Sequence, residues 1–289
     1  MENMSRSGLF ILKQFGFSDR LLIWLYMNST TSDVMEFLNY SFNSTAIKPY
    51  MTKKDMRLAQ TESLTKFVSE NRENLLNTEK NKIDKILFKY DQNVLDKFMT
   101  VDERPLFFYL HGRQELLARS NSFVAIIGTR KISSKYFRIA QKVVQKYIQR
   151  GFITVSGLAK GTDTIVHTET LKLHKPTIAV LPTNFVSIYP KENKGLAQQI
   201  FKHGLAITSI GPLENTYRSS FLERNRYVAL IADEVVVIET NFHSGTMNTV
   251  HAAKLLNKRI KFIPQENKKV NEYLISLGAE KISVTDYGN

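Results

Sequence analysis

The chain has 289 residues and no cysteine, which excludes disulfides, thiolate metal sites and cysteine nucleophiles and fits a reducing compartment. A hydrophobic fraction of 43% and a charged fraction of 23% are ordinary for a globular protein, at a length that accommodates two domains. The formal charge of +13 is unevenly placed: residues 1–85 hold 12 Lys and Arg against 10 Asp and Glu, whereas residues 86–289 hold 28 against 17. Clustered cations gain by releasing condensed counterions from a phosphate backbone, so the second part predicts a polyanionic partner. A lysine-rich, solvated surface is the competing reading.

At the N-terminus there is no ordered series of basic, apolar and small residues of the kind that makes a secretory signal. The apolar run "LLIWLYM", Leu21 to Met27, follows Arg20 and is far too short to span a bilayer. A cytoplasmic protein without membrane association is expected. Residues 1–85 show helical spacing in "LLIWLYM", "SDVMEFLNY" and "ESLTKFVSENRENLL", with helix starts at Ser32–Asp33 and Thr61–Glu62, whose side chains cap free N–H groups. This predicts a small all-helical N-terminal domain. The run "NTEKNKIDK", Asn77 to Lys85, has the composition of a connector or an exposed helix end. Residues 86–122, including "RPLFFYLHGRQELL", read as an extended lead-in to a second domain covering 86–289.

From Phe123 the pattern changes. Short apolar runs, "FVAIIG" at 123–128, "FITVSG" at 152–157, "TIAVL" at 177–181, "LAITS" at 205–209, "EVVVIE" at 234–239 and "RIKFIP" at 259–264, alternate with helix-length segments. Strands apolar on both faces and alternating with helices predict an α/β fold: a Rossmann-like, doubly wound, mostly parallel sheet.

In open α/β sheets ligands collect at the carboxyl ends of the strands, so the residues following each strand are the candidates. After the first stand Gly128, Thr129, Arg130 and Lys131, where glycine permits close approach, the helix start favours an anion and Arg130 adds a donor fork. The spacing is neither G-x-G-x-x-G nor G-x-x-x-x-G-K-[ST], so dinucleotide binding and P-loop hydrolysis lose their main support. After the second come Ser156, Gly157, Lys160, Gly161, Thr162 and Asp163. Lys160 has the reach for a phosphate, Thr162 or Asp163 for a helix cap, and His167 reads as a local hydrogen-bonding group rather than a base. The third is followed by Tyr189, Pro190, Lys191 and Asn193. Phe221, Arg224, Asn225 and Arg226 precede the fifth, joining arginines for phosphates to a ring for base stacking. An ion-pair network with Glu223 or Glu239 is the other reading of those arginines. Ser244, Gly245 and Thr246 then open another helix, a further N–H-rich cradle. No H-x-x-x-H or H-E-x-x-H spacing, no recurring carboxylate pair and no G-x-S-x-G elbow is present, which points to binding rather than catalysis, with no metal and no cofactor.

The ordered segments "VAIIGTRKIS", "VSGLAKGTDTIVH", "TIAVLP…IYPKEN", "FLERNRYVALIADEVVVIE", "HSGTMNT" and "LISLGA" resemble the DprA/Smf family of DNA-processing proteins, over about residues 85–280. The family's G-[ST]-R turn falls on Gly128, Thr129 and Arg130. Its S-G-x-A-x-G-x-D segment falls on Ser156, Gly157, Ala159, Lys160, Gly161 and Asp163, its F-x-x-R-N-R motif on Phe221, Arg224, Asn225 and Arg226, and its S-G-[ST] turn on Ser244, Gly245 and Thr246. The resemblance implies a non-enzymatic single-stranded-DNA binder that protects incoming DNA and helps load RecA during natural transformation. It further implies a homodimer and a DNA phosphate met by Arg130 and Lys160, with an unstacked base near Phe221. The stripe "VNEYLISLGA", Val270 to Ala279, reads either as a dimer or RecA surface or as a core-packing helix. Two turns depart from the family pattern, "PTNFVS" and "IGPLEN", and a chain ending at Asn289 leaves no space for the C-terminal winged helix of some members. A small-nucleotide sensor, or a phosphoribohydrolase-like Rossmann protein, is the alternative. Against hydrolysis, Thr249, Val250 and His251 stand where that chemistry needs a glutamate.

Overall fold

The computed structural model describes residues 5–29, 47–60, 63–80, 84–118 and 120–283. The chain forms two compact units: Met1–Asp91 with Arg104–Tyr109 and Ile210–Asn215, and Gln92–Glu103 with Leu110–Ser209 and Thr216–Asn289.

In the first unit, α1 (Arg6–Phe15) and α2 (Asp19–Asn28) are each opened by a serine whose hydroxyl accepts the backbone N–H of the third helical residue. A short helix, α3 (Lys53–Leu58), and a longer one, α4 (Ser63–Lys80), follow. The expected helix at "SDVMEFLNY" and the starts at Ser32–Asp33 and Thr61–Glu62 lie outside the described residues. Asp55 ties this unit together: fully buried, it accepts from the N–H and hydroxyl of Thr52 at 2.7 Å each and from the N–H and hydroxyl of Ser18 at 2.8 and 2.6 Å. Asp55→Ala is expected to cost about 3 kcal/mol, since four donors lose a charged acceptor at once. Far-UV circular dichroism during urea unfolding measures it, and Asp55→Asn should recover part of the loss. A second tie is Lys13, 2.7 Å from Asp19 and 3.2 Å from Glu214. Burial pushes its ammonium down, and the two carboxylates more than reverse this, holding it above its ordinary value. Strand β1 (Asp84–Phe88) pairs with β2 (Phe107–Gly112), where the sequence suggested only an extended lead-in.

The second unit builds the doubly wound parallel sheet expected from the sequence. Its strands are β3 (Ser122–Ile127), β4 (Phe152–Ser156), β5 (Thr177–Val180), β6 (Leu205–Thr208), β7 (Glu234–Val237), β8 (Arg259–Phe262) and β9 (Glu280–Lys281). The alternating helices are α5 (Ser134–Gln149), α6 (Thr162–Lys172), α7 (Lys194–His203), α8 (Arg218–Ile231), α9 (Gly245–Leu255) and α10 (Lys268–Ser276). Every residue of β5, β6 and β7 is buried, as both faces of a parallel sheet under helices require. α5 buries Tyr136, Ile139, Ala140, Val143, Val144 and Tyr147, a single helical face, on β3 and its neighbours.

The strand order is β6-β5-β4-β3-β7-β8-β9 and every pair is parallel. The chain starts in the middle at β3, lays β4, β5 and β6 to one side, then crosses back to put β7, β8 and β9 on the other. The connections leaving β3 and β7 therefore diverge, and a crevice opens beyond their carboxyl ends.

Candidate nucleic-acid interface

That crevice is a hollow of about 280 Å³. It gathers Gly128, Thr129 and Arg130 from the turn after β3, Gly157 from the connection after β4, Asp163 from the first turn of α6, Phe221, Arg224 and Asn225 from α8, and Ser244, Gly245, Thr246 and Thr249 from the start of α9. Ten of the fifteen binding residues predicted from sequence thus meet at one switch point.

Close approach of loops explains its glycines. A Cβ on Gly157 would lie 2.5 Å from the guanidinium carbon of Arg224. Gly161 has φ 74°, and a Cβ there would lie 2.7 Å from the carbonyl oxygen of Arg130. This lets the two connections cross, with the Thr162 N–H donating to the Thr129 carbonyl at 3.2 Å.

The turn after β3 differs from expectation in one respect. Its N–H groups do not form an open anion cradle, because the chain fills it: Thr129 N–H donates to the Glu239 carbonyl at 2.7 Å, and Ser133 N–H to the Glu239 carboxylate at 2.9 Å. What this turn presents outward is the exposed side chain of Arg130. The N-terminus of α9 is more open. Ser244 spends its hydroxyl on Thr240 at 2.7 Å rather than capping the helix, and the N–H groups of Gly245 and Thr246 have no acceptor among the described residues.

Arg224 is the buried centre of the hollow. It donates to the carbonyls of Gly157 and, at 3.3 Å, Val180, while its Nε–H donates to Asn225 at 3.0 Å. Burial pushes its guanidinium below its ordinary value, opposed by Asp163. Asp163 holds the loop after β4 rather than capping α6: its Oδ2 accepts from Gly157 and Ala159 N–H at 3.1 and 3.2 Å. Burial raises its carboxyl against the pull of Arg224 and those N–H groups.

His167 is fully buried one turn further along α6, its Nδ1 2.9 Å from the Thr177 hydroxyl. Burial, helped by Arg224, pushes it down to about 3. The folded value lies below the unfolded value of about 6.5, so its contribution is fully present above pH 6.5 and is lost as pH falls toward 3. Between pH 7 and pH 5 the wild type is expected to lose about 2 kcal/mol that His167→Gln does not. Urea unfolding at the two pH values reads this difference.

Five predicted residues lie outside the hollow. Ser156 is buried and donates to the Ile126 carbonyl at 2.8 Å. Gly161 serves the loop crossing. Lys160 is exposed and pairs with Glu192 at 2.5 Å. Arg226 turns to the Glu103 carboxylate at 3.5 Å, not to Glu223 or Glu239. Lys191 lines a neighbouring hollow of about 630 Å³ with Tyr189, Lys194 and Phe221. A third hollow, of about 710 Å³, is lined by Arg130, Tyr189, Arg218, Phe221, Phe242 and His243 among others. Phe221 borders all three, and its ring meets Tyr189 edge-on at 5.3 Å. Arg218 and Phe242 were missed by sequence reasoning. Arg218 was within reach, since 218, 221, 222 and 225 share one face of α8 at helical spacing. Phe242 stands alone in a loop and carries no periodic signal. Around the three hollows stand Arg130, Lys191, Lys194, Arg218 and Arg224 against one carboxylate, Asp163. Cations ring exposed aromatics, the arrangement that grips a phosphate backbone and stacks its bases. Among the described residues no three His, Cys, Asp or Glu are grouped to hold a metal ion, and no helix is long and apolar enough to cross a membrane.

Residues 85–287 match the family model described as DNA recombination-mediator protein A. The DNA processing protein DprA of Streptococcus pneumoniae is 33% identical over 162 residues, 56% of each chain. Across the curated relatives it matches, the chain spans about half of their length, from 40% to 56%. The crystal structure of the Streptococcus pneumoniae protein superposes with a TM-score of 0.69 over 99% of this chain and 97% of that one, at 23% identity, a likeness of fold. DNA processing protein A from Helicobacter pylori, whose structure addresses its single-stranded-DNA binding mode, superposes with a TM-score of 0.61 over 71% of this chain and 93% of that one, at 26% identity.

Proposed function

The chain belongs to the DNA recombination-mediator protein A family, and from that premise we propose that it binds single-stranded DNA at the switch-point crevice, without catalysing a reaction on it. The observation that carries this reading is the meeting of Arg130, Phe221, Tyr189 and Lys191 around adjoining hollows. Phosphates would lie against Arg130, Lys191 and the open N–H groups of α9, and a base against the Phe221–Tyr189 pair. Gly128, Gly157 and Gly161 shape the crevice, and Arg224 holds it from beneath. The single-stranded-DNA ligand of the Helicobacter pylori relative supports the assignment.

On the same reading the protein is cytoplasmic and homodimeric, protects incoming strands and hands them to RecA in natural transformation. The organisation into a helical part, 1–85, and a Rossmann-like part, 86–289, belongs to this proposal, with DNA contact assigned to the second. Deleting residues 1–85 is a poor test of it, because the loss of Lys13 would leave Glu214 as a largely buried carboxylate without its cation. The stripe Val270 to Ala279 buries Val270 and Leu274 and exposes Ile275, so any contact surface there rests on few apolar side chains.

Fluorescence anisotropy of labelled oligo-dT against increasing salt tests the central claim. Binding that falls steeply with salt, and that prefers the single strand to a duplex of the same length, is the expected result. A salt-insensitive signal or a duplex preference overturns it. One observation favours the small-nucleotide alternative: the crevice encloses about 280 Å³, close to the lower end of the ~300–1,000 Å³ typical of small-ligand sites. Displacement of oligo-dT by a mononucleotide at micromolar concentration would establish that second ligand.

A further inference from the structure

Helix α5 leads away from the crevice, its entry loop beginning at Arg130. Its buried face is apolar. The opposite face carries Lys135, Arg138, Lys142 and Lys146, preceded by Lys131 and followed by Arg150, at spacings of four, three, four, four and four residues. The spacings of three, four and four stack Lys135, Arg138, Lys142 and Lys146 in one line along a helix of 16 residues, about 24 Å long, with Lys131 and Arg150 in the segments that flank it. No acid interrupts them. Between Glu115 and Asp163 the chain has 47 residues with nine Lys or Arg and no Asp or Glu.

The arrangement is unfavourable for the helix itself. Like charges at i,i+4 repel, each pair costing a few tenths of a kcal/mol, and Lys131 and Lys135 lie at the end of the helix dipole that favours anions. Two acids from other elements reach this end: the Glu239 carboxylate on Ser133 N–H, from the turn after β7, and Glu266, between β8 and α10, 3.7 Å from Lys135 in an exposed pair. A merely solvated helix face mixes signs, whereas a single-sign line on the helix, starting at the mouth of an anion-binding crevice, fits an extended polyanion.

We propose that this face of α5 is a second contact surface for single-stranded DNA, a track that carries the strand beyond the crevice along Lys131, Lys135, Arg138, Lys142, Lys146 and Arg150. The inference rests on the crevice as the first contact and adds the direction in which the strand leaves it. Contact with α5 is made only by strands longer than the crevice itself holds.

The test compares oligo-dT of about 6 nucleotides with oligo-dT of about 30, bracketing the ~4–16 nucleotides held by one single-strand-binding domain. The proteins are full-length wild type and a variant combining Lys135→Gln, Arg138→Gln, Lys142→Gln and Lys146→Gln. The short strand is expected to bind both within twofold. The long strand is expected to bind the variant at least tenfold more weakly, with a salt slope smaller by about 3, from four contacts at ~0.7 each on a single strand. A companion variant with Lys135→Arg, Lys142→Arg and Lys146→Arg keeps the charge and should keep long-strand affinity. The glutamine variant removes repulsion together with the exposed Lys135–Glu266 pair, so it should melt within about 3 °C of wild type. An equal loss for both lengths would show a general field rather than a track, and no loss for either would show a solvated face or one kept for another acidic partner; each overturns the proposal while leaving the crevice standing. If wild type binds neither length, the crevice reading fails and the track with it.

Discussion

Arg224→Met is expected to lower the unfolding free energy by about 3–5 kcal/mol, the range for removing a buried charge from the buried groups it compensates, and the melting temperature by roughly 10 °C. Arg224 is 5% exposed and supplies the donors for the Gly157 and Val180 carbonyls at the ends of β4 and β5. Without it those carbonyls and the neighbouring Asp163 carboxylate stay buried with less compensation. Asp163→Asn in the same background should return part of the loss, since it removes the charge left behind; that non-additivity is the signature of coupling rather than of two separate packing defects. Gly157→Ala should approach the Arg224→Met effect by a different route, because the added methyl falls on the guanidinium itself. Calorimetry of wild type, Arg224→Met, Asp163→Asn, the double variant and Gly157→Ala settles the matter. Losses below about 1 kcal/mol would mean that Arg224 is replaceable and free to reach a ligand instead.

Arg130→Ala combined with Lys191→Ala is expected to do the reverse, leaving the melting temperature unchanged while weakening oligo-dT binding by about 100-fold. Both side chains are exposed, and neither has a hydrogen-bond or ion-pair partner among the described residues. If each meets one phosphate, the slope of log affinity against log salt should shrink by about 1.4, from ~0.7 per contact on a single strand. Phe221→Ala should weaken binding without changing that slope, because stacking worth ~1–3 kcal/mol releases no counterions. Lys160→Ala is expected to matter less than Arg130→Ala, since Lys160 stands outside the crevice and against Glu192. Unchanged affinity in the Arg130 and Lys191 double variant would remove the crevice from consideration as the DNA contact.

The parallel sheet was legible because its strands are apolar on both faces, a pattern that reaches the page as uninterrupted runs such as "FVAIIG" and "EVVVIE". The convergence of four loops was legible for the same reason, since strands that all run one way put all their following residues at one edge. The sequence was less clear about β1 and β2, which lie in a stretch of mixed composition without alternation.

Which of the converging side chains are exposed and which are buried was decided by tertiary structure alone. Arg130 and Arg224 look equally available in the sequence, yet one is exposed and the other lies beneath Gly157. Glu239, at the end of a strand motif, gives no sign in the sequence that its carboxylate occupies the anion position at the start of α5. Chain order settles which loops share an edge, because strand direction and periodicity are local properties. The orientation of a charged side chain depends on which distant carbonyls and carboxylates are left needing a partner once the sheet has closed, and that is known only when the fold is complete.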